Sequence, residues 1–406
     1  MASKKRKLKE ILKKYVLIPS AIGLSFFSTG SKINYDYLSQ YINPEPIKQV
    51  QQINDQDKKG KQHINTFKGA MEYLMSLFPA AHKPYKTYDD FKRYDELLKL
   101  KLIKPSPVVQ HYFPDSNSLK KGIIDNSYSR TLEDIVHKET QKLKILTWNI
   151  EYGQNYSTIL NELKKYKDYD VILLQEVDIG TSRVDYQDMA RKLAKDLGMN
   201  YYYVPEFYEI GLKGVTGNMI LTKHKILDYG NVNHTNYFNW PLSPWEKRIG
   251  GRITSWVVIE VNGKKYLVYD VHLEDKTNKY DRYDQLSEVI NDIIKHSRYL
   301  KDLSGVILGG DFNTRKLDEP SVRFFGKNWI KTPNVSTSEY KFFKFPLDRI
   351  AAYLKGKNEK NVKYNYNIIE SKASDHKGLS LEIEYMLFMA LELGIITFAF
   401  IKVLGL

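Results

Sequence analysis

The sequence predicts a layered α/β protein, mixed β-sheets covered by helices, with a helical N-terminal extension in front. Three observations carry that prediction. From residue 144 onward, apolar runs of strand length alternate with polar segments of helical spacing. Inside VVIEVNGKKYLVYDV the pair Asn262-Gly263 marks an antiparallel hairpin, whereas helical segments between other runs imply parallel crossovers. Upstream of residue 142 the chain is Lys-rich and helix-patterned, without strand-like runs.

Taken in order, the chain opens on MASKKRKLKEILKK, with seven basic residues against one Glu, followed by the apolar YVLIPSAIGLSFF at 15–27. That run is short of the roughly 20 residues a membrane span needs, so residues 1–30 read as a targeting or anchor segment. Ser28, Thr29 and Gly30 behind it suit a cleavage site. Residues 31–141 form the extension: EYLMSLF and FKRYDELLKLKLI place apolar residues three and four apart, and the prolines of INPEP and IKPSPVV interrupt.

Residues 142–385 hold the strands. KILTWNI (144–150), VILLQEV (171–177), NMILTK (218–223), ITSWVVIEV (253–261), KYLVYDVHL (265–273), GVILGG (305–310) and GLSLEIEY (378–385) read as strands. Helices are expected at STILNELKKY, YQDMARKLAKDLG and YDQLSEVINDIIKHSRYL. Residues 386–406 are apolar and, as a helix, would extend about 31 Å at about 1.5 Å per residue, a membrane-spanning length. Glu392 lies well inside that segment and opposes insertion by about 2.5–3.5 kcal/mol, while Lys402 near its end can snorkel. A membrane-associated protein, held by its ends, is the expectation; helices packed on a soluble body are the alternative.

A length of 406 residues allows one large catalytic domain plus further segments. The net charge of +14 points to an anionic partner, nucleic acid or a phospholipid surface. The absence of cysteine excludes disulfides, thiolate metal sites and cysteine nucleophiles.

Several of the strands end in groups that a buried strand avoids. Asn149 and Glu151 end the first run, Glu176 the second, Asp270 and His272 the fifth, Asp311 and Asn313 the sixth; Asp375 and His376 precede the last. Residues two apart on a strand share a face, so Asp311 and Asn313 point into one cleft, as do Asp270 and His272. A buried carboxylate must meet a cation, a donor or water. Several carboxylates with two histidines and no cysteine suit a hard, oxygen-preferring cation, Mg2+ or Mn2+, better than zinc.

Together WN-x-E, LLQEV, HL, GDFN, LD-x-I and SDH, in this order over residues 148–376, resemble the endonuclease/exonuclease/phosphatase superfamily of metal-dependent phosphoesterases. The resemblance implies a four-layer α-β-β-α sandwich of the DNase I type, with the site at the sheet edges. It implies Glu176 as the main metal ligand, with Asn149 and Glu151 beside it and Asp375 near the metal. It also implies Asp311 as the group that orients or deprotonates the attacking water, supported by Asn313. His376 would stabilise phosphoryl oxygens or act as base, held by Asp348 of PLDRI; His272 would contact the phosphate and protonate the leaving group. Those roles meet what phosphodiester hydrolysis requires: charge neutralised on the phosphoryl oxygens, a positioned water and a proton for the leaving oxygen.

Relatives that cut at abasic sites carry Asn where this chain has the His of DVHL. The two-histidine pattern is similar instead to the secreted DNase, sphingomyelinase, deadenylase and inositol-phosphatase branches. The tyrosine and arginine that some nucleases place between the Glu and His motifs have no clear counterpart; Arg248 and Arg252 of EKRIGGR read either as phosphate contacts or as surface charge. The expected function is a Mg2+-dependent phosphodiesterase acting on nucleic acid. A phospholipid phosphoesterase, a phosphatase of soluble monoesters and a non-catalytic binding member of the fold are the alternatives.

Overall fold

The computed structural model describes residues 84–128 and 142–384, except 244–246, 301, 316–318, 320–324, 326–327, 341–342, 356 and 358–361. The expected segments at 1–30 and 386–406, and residues 31–83 of the extension, lie outside the described residues. Among those described, no helix is long and apolar enough to cross a membrane.

Two sheets form the body. The first runs in the order β17 (Lys363–Ile369), β18 (Gly378–Glu384), β3 (Lys142–Tyr152), β4 (Val171–Ile179), β6 (Gly214–Thr222), β5 (Asn200–Glu209) and β2 (Ile123–Asp125), with β9 (Arg248–Gly250) beside β5. The second runs β13 (Trp329–Lys331), β16 (Asp348–Leu354), β12 (Leu303–Asp311), β11 (Lys264–His272), β10 (Ile253–Val261) and β7 (Ile226–Asn233). Two short ribbons complete the set, β1 (Tyr85–Lys86) with β8 (Thr235–Asn236) and β14 (Ser338–Tyr340) with β15 (Phe343–Phe345).

Each sheet contains one parallel pair, β3 with β4 and β11 with β12, and every other pairing is antiparallel. A parallel pair needs a helical crossover. Helices at Tyr156–Leu163 and Lys279–Tyr299 supply the two crossovers. The second begins at Asn278, whose side chain accepts from the amides of Tyr280 and Asp281 and so caps the helix start.

Strand alternation builds the layers. On β11, Tyr266 and Val268 face the other sheet, whereas Leu267, Tyr269 and Val271 join Leu286, Val289 and Ile293 under the Lys279–Tyr299 helix. The inter-sheet face is a continuous apolar core that includes Ile145, Leu173, Ile220, Val257, Ile307 and Ile350. The result is the sandwich of sheets between helices that the sequence predicts. The hairpin also forms as expected, with Asn262 and Gly263 at φ of 50° and 71° joining the paired Val261 and Lys264.

The expected boundary at residue 142 does not separate an appendage from a body. Helices Thr87–Lys99, Pro107–Tyr112 and Ser116–Lys121 pack Phe91, Tyr94, Val109, Phe113 and Leu119 into the main core, and β2 forms the edge of the first sheet. The Asp90 carboxylate accepts from the Gly250 amide at 2.7 Å, and Thr87 Oγ1 donates to the Arg252 carbonyl at 2.8 Å.

Candidate active site

Both parallel pairs end at the same rim. On one side, Asn149 and Gln175 are register partners and Glu176 follows; on the other, His272 pairs with Asp311, and Asp311 with Asp348. Three chemically active residues thus stand abreast on three adjacent strands of the second sheet. Gly309 and Gly310 make room for this. A Cβ on Gly309 would lie 2.6 Å from Leu173 of the facing sheet, and Gly310 has φ 144°.

The backbone at the rim is strained where chemistry is expected. Glu151, Glu176 and Asn313 all have positive φ, at 46°, 56° and 50°. Register shifts after Asn149 and after Leu174 mark bulges that turn the Glu151 and Glu176 side chains off the regular pleat.

Asp311 Oδ2 is the focus of the arrangement. Asn149 Nδ2 donates to it at 3.4 Å, and His376 Nε2 and His272 Nε2 stand 3.7 and 3.8 Å away. Its other oxygen accepts from the Asn313 amide at 2.8 Å, while Asn313 Nδ2 donates to the Leu273 carbonyl at 2.9 Å. Burial pushes the Asp311 carboxyl up; His376 pulls it down, Asp348 pushes it up again, and the net direction is upward. His376 Nδ1 meets Asp348 Oδ2 at 2.9 Å, and its indole neighbour Trp148 donates to the His376 carbonyl at 2.9 Å. Burial opposes the His376 cation, but Asp348 and Asp311 outweigh it and hold the imidazole well above its usual pKa.

His272 is fully buried, and its Nδ1 lies 3.0 Å from Glu206 Oε2 and 3.1 Å from Arg252 Nη1. One nitrogen cannot donate to Glu206 and accept from Arg252 together. Burial and Arg252 disfavour the cation while Glu206 and Asp311 raise the pKa above its usual value, which makes Nδ1 the donor to Glu206. Among the described residues Nε2 then has no hydrogen-bond partner, and it stands beside Asp311.

Opposite these groups stand Glu151, Glu176 and Asp375. Burial raises the Glu151 carboxyl and Asp375 and Glu176 raise it further; Asp375 is raised by burial and by Glu176 and Asp311, against His376. Glu176 is half-buried, and no hydrogen bond or ion pair within the described residues engages it. Crowded acids that destabilise one another fit a bound cation, and an all-oxygen set with Asn149 suits a hard one. Asp311, Asp348 and His376 also bring ligand-type atoms within 4.8 Å of one another. In that second group the Asp348–His376 hydrogen bond already uses Nδ1 and one carboxylate oxygen.

The nine residues singled out in the sequence therefore gather at one rim. Asp270, also noted there, does not join them: it is fully buried between the sheets, where it accepts from Gln175 Nε2 at 2.6 Å. Of the two readings left open for Arg248 and Arg252, surface charge falls, since both are buried. Arg252 donates to Glu206 and to Asp275, both at 3.2 Å, and Arg248 pairs with Glu209 at 3.0 Å and donates to Tyr152 Oη at 3.3 Å. Glu206, the partner of His272, escaped the sequence reading. It lies in YYYVPEFYE, a fully buried stretch whose polar residue carried no alternation signal.

Two sheets that deliver carboxylates, amides and imidazoles to one rim define a hydrolase-type site in a DNase I-like sandwich. The chain belongs to the endonuclease/exonuclease/phosphatase family, whose sequence model matches residues 146–376. The family is one of phosphoester hydrolases. Among solved structures, the chain is similar to a humanized D. rerio TDP2 (22% identity, 60% of this chain and 100% of that one, TM-score 0.44). It is similar to the human Nocturnin catalytic domain with bound sulfate (17%, 60% and 94%, 0.44) and to a family protein from Leptotrichia buccalis (18%, 60% and 100%, 0.44). No curated protein matches the chain.

Proposed function

We propose that the chain is a divalent-metal-dependent phosphodiesterase that hydrolyses nucleic acid. The observation that supports this best is the convergence of Asn149, His272 and His376 nitrogens on Asp311 Oδ2 beside three crowded carboxylates. Glu176, Asn149, Glu151 and Asp375 would hold Mg2+ or Mn2+, which would neutralise charge on the phosphoryl oxygens. Asp311, its affinity for a proton raised, takes the proton of the attacking water, and Asn313 fixes its orientation. His376 donates from Nε2 to a phosphoryl oxygen, its ring held by Asp348. His272, charged by Glu206, offers its unpartnered Nε2 to the phosphate and the leaving oxygen. The net charge of +14 favours a polyanionic substrate.

The test is hydrolysis of plasmid DNA, RNA, sphingomyelin vesicles and phosphoinositides by the full chain, with Mg2+, Mn2+ or EDTA, and Asp311→Asn as blank. Cutting of nucleic acid that EDTA and the substitution both abolish supports the reading. Consumption of vesicles alone, lost when residues 386–406 are removed, replaces it with a lipid phosphoesterase.

A further inference from the structure

We propose that a cleft of about 460 Å³ beside the catalytic rim, built around Arg349, is a second phosphate subsite for a phosphodiester flanking the scissile one. This rests on the nucleic-acid reading above. Lys331, Thr332, Asn334, Arg349, Tyr364 and Tyr366 contribute its polar and aromatic lining, and among the described residues none that lines it is acidic.

Arg349 differs from the other buried arginines. Arg248, Arg252 and Arg282 each face a carboxylate: Glu209 at 3.0 Å, Glu206 at 3.2 Å and Glu319 at 2.8 Å. Arg349 is equally buried, yet among the described residues it donates to neutral oxygens alone, Thr314 Oγ1 at 3.0 Å and Asn334 Oδ1 at 2.6 Å. Burial pushes its pKa down to about 10, against weaker upward pulls from Glu319 and Asp348. A buried cation with carboxylates only at longer range is costly, and an anion entering the cleft lowers that cost.

The placement matches a neighbouring phosphate. Arg349 pairs with Gly310, one register step from the Asp311–Asp348 pair at the rim and on the opposite strand face from Asp348, and its partner Thr314 follows Asn313. Two fixed neutral partners aim the guanidinium fork, the geometry that suits bidentate phosphate binding. Tyr364 and Tyr366 lie two apart on β17; Tyr364 packs against the core, while Tyr366, 38% exposed, offers a stacking surface for a base. A phosphate with an adjoining base is the unit such a cleft takes, so the substrate would be held as an extended single strand.

The experiment compares KM for a short single-stranded oligonucleotide with kcat/KM for bis(4-nitrophenyl) phosphate, which is too small to reach both sites, using wild type, Arg349→Gln, Lys331→Gln and Tyr366→Ala. The proposal expects oligonucleotide KM to rise about tenfold or more for Arg349→Gln, the loss of a charge-assisted hydrogen bond. It expects a shallower salt dependence, by about one phosphate contact, for Arg349→Gln and Lys331→Gln. Hydrolysis of the small diester should be unchanged in Lys331→Gln and Tyr366→Ala, which guards against Arg349→Gln merely misfolding. Equal losses on both substrates, or no loss on either, overturn the subsite. If wild type cuts the small diester and no oligonucleotide, the nuclease reading fails; oligonucleotide binding then decides the subsite, which stands if Tyr366→Ala and Lys331→Gln weaken binding and falls if they do not.

Discussion

The two halves of the rim are built on opposite plans. The first sheet contributes Glu151 and Glu176 on left-handed backbone, half-buried, crowded with Asp375, with Glu176 hydrogen-bonded to no described residue. The second sheet contributes His272, Asp311 and Asp348 in register, buried and tied to Glu206, Asn313 and His376. On one half like charges crowd one another; on the other each group is held by a hydrogen-bonded or ion-paired neighbour, with His272 Nε2 left open toward the rim. The proposed division of labour follows that difference, and it can be broken one half at a time.

The largest effect should come from either central carboxylate. Asp311→Asn keeps the shape but cannot accept a proton, so kcat should fall by roughly 10²–10⁴ while the protein folds normally. Glu176→Gln should lose a comparable factor through the metal. A near-wild-type rate in either would remove that residue from the mechanism. The two halves part company in a melting experiment: Mg2+ should stabilise wild type and Asp311→Asn, by about 2.7 kcal/mol at a hundredfold excess over Kd, and leave Glu176→Gln unmoved. In EDTA, Glu176→Gln should be no less stable than wild type, because it removes one member of the crowded acid group.

On the second half, Glu206→Gln should act through neighbours. Glu206 accepts from Arg252 and from His272 and burial raises its pKa, but those two charges win and hold it low. The substitution leaves Arg252 buried with Asp275 at 3.2 Å and Glu274 at 3.9 Å. We expect about 3 kcal/mol lost from stability, read by denaturant unfolding, and a pH–rate profile shifted as His272 gives up its proton more readily. An unshifted profile would detach His272 from Glu206.

The legibility of the sequence follows the same division. Asp311, Asn313, His272 and Glu176 stood out because each ends an apolar run, so polarity at the wrong place was itself the signal. Seven strands were readable for the same reason. The strand Asn200–Glu209 was not, because all ten of its residues are buried and Pro205 interrupts it at a register shift before Phe207. Nor could spacing show that Thr87–Lys99 docks on Arg248–Gly250, since that contact joins positions some 160 residues apart. Pairing of Arg252 with Glu206, and the neutral partners of Arg349 among the described residues, are likewise tertiary facts.

The effect with no bearing on the rate concerns Asp270, which shares a strand face with His272 yet belongs to neither half. Burial raises its carboxyl well above the usual range; Gln175 lowers it and Glu206 raises it again, so the folded protein holds this proton to higher pH than the unfolded chain does. The unfolded chain ionises the same group near about pH 3.9, so above that pH the folded state holds one proton more. Stability must therefore fall with rising pH through this group, by at most about 1.4 kcal/mol per pH unit, until the folded carboxyl itself ionises. Asp270→Asn keeps the acceptor for Gln175 and removes the titration. Its stability should match or exceed wild type at neutral pH, with the advantage growing toward alkaline pH and vanishing near about pH 4. Denaturant unfolding across that range would show it, and a variant that tracked wild type at every pH would mean that Asp270 is ionised in the fold.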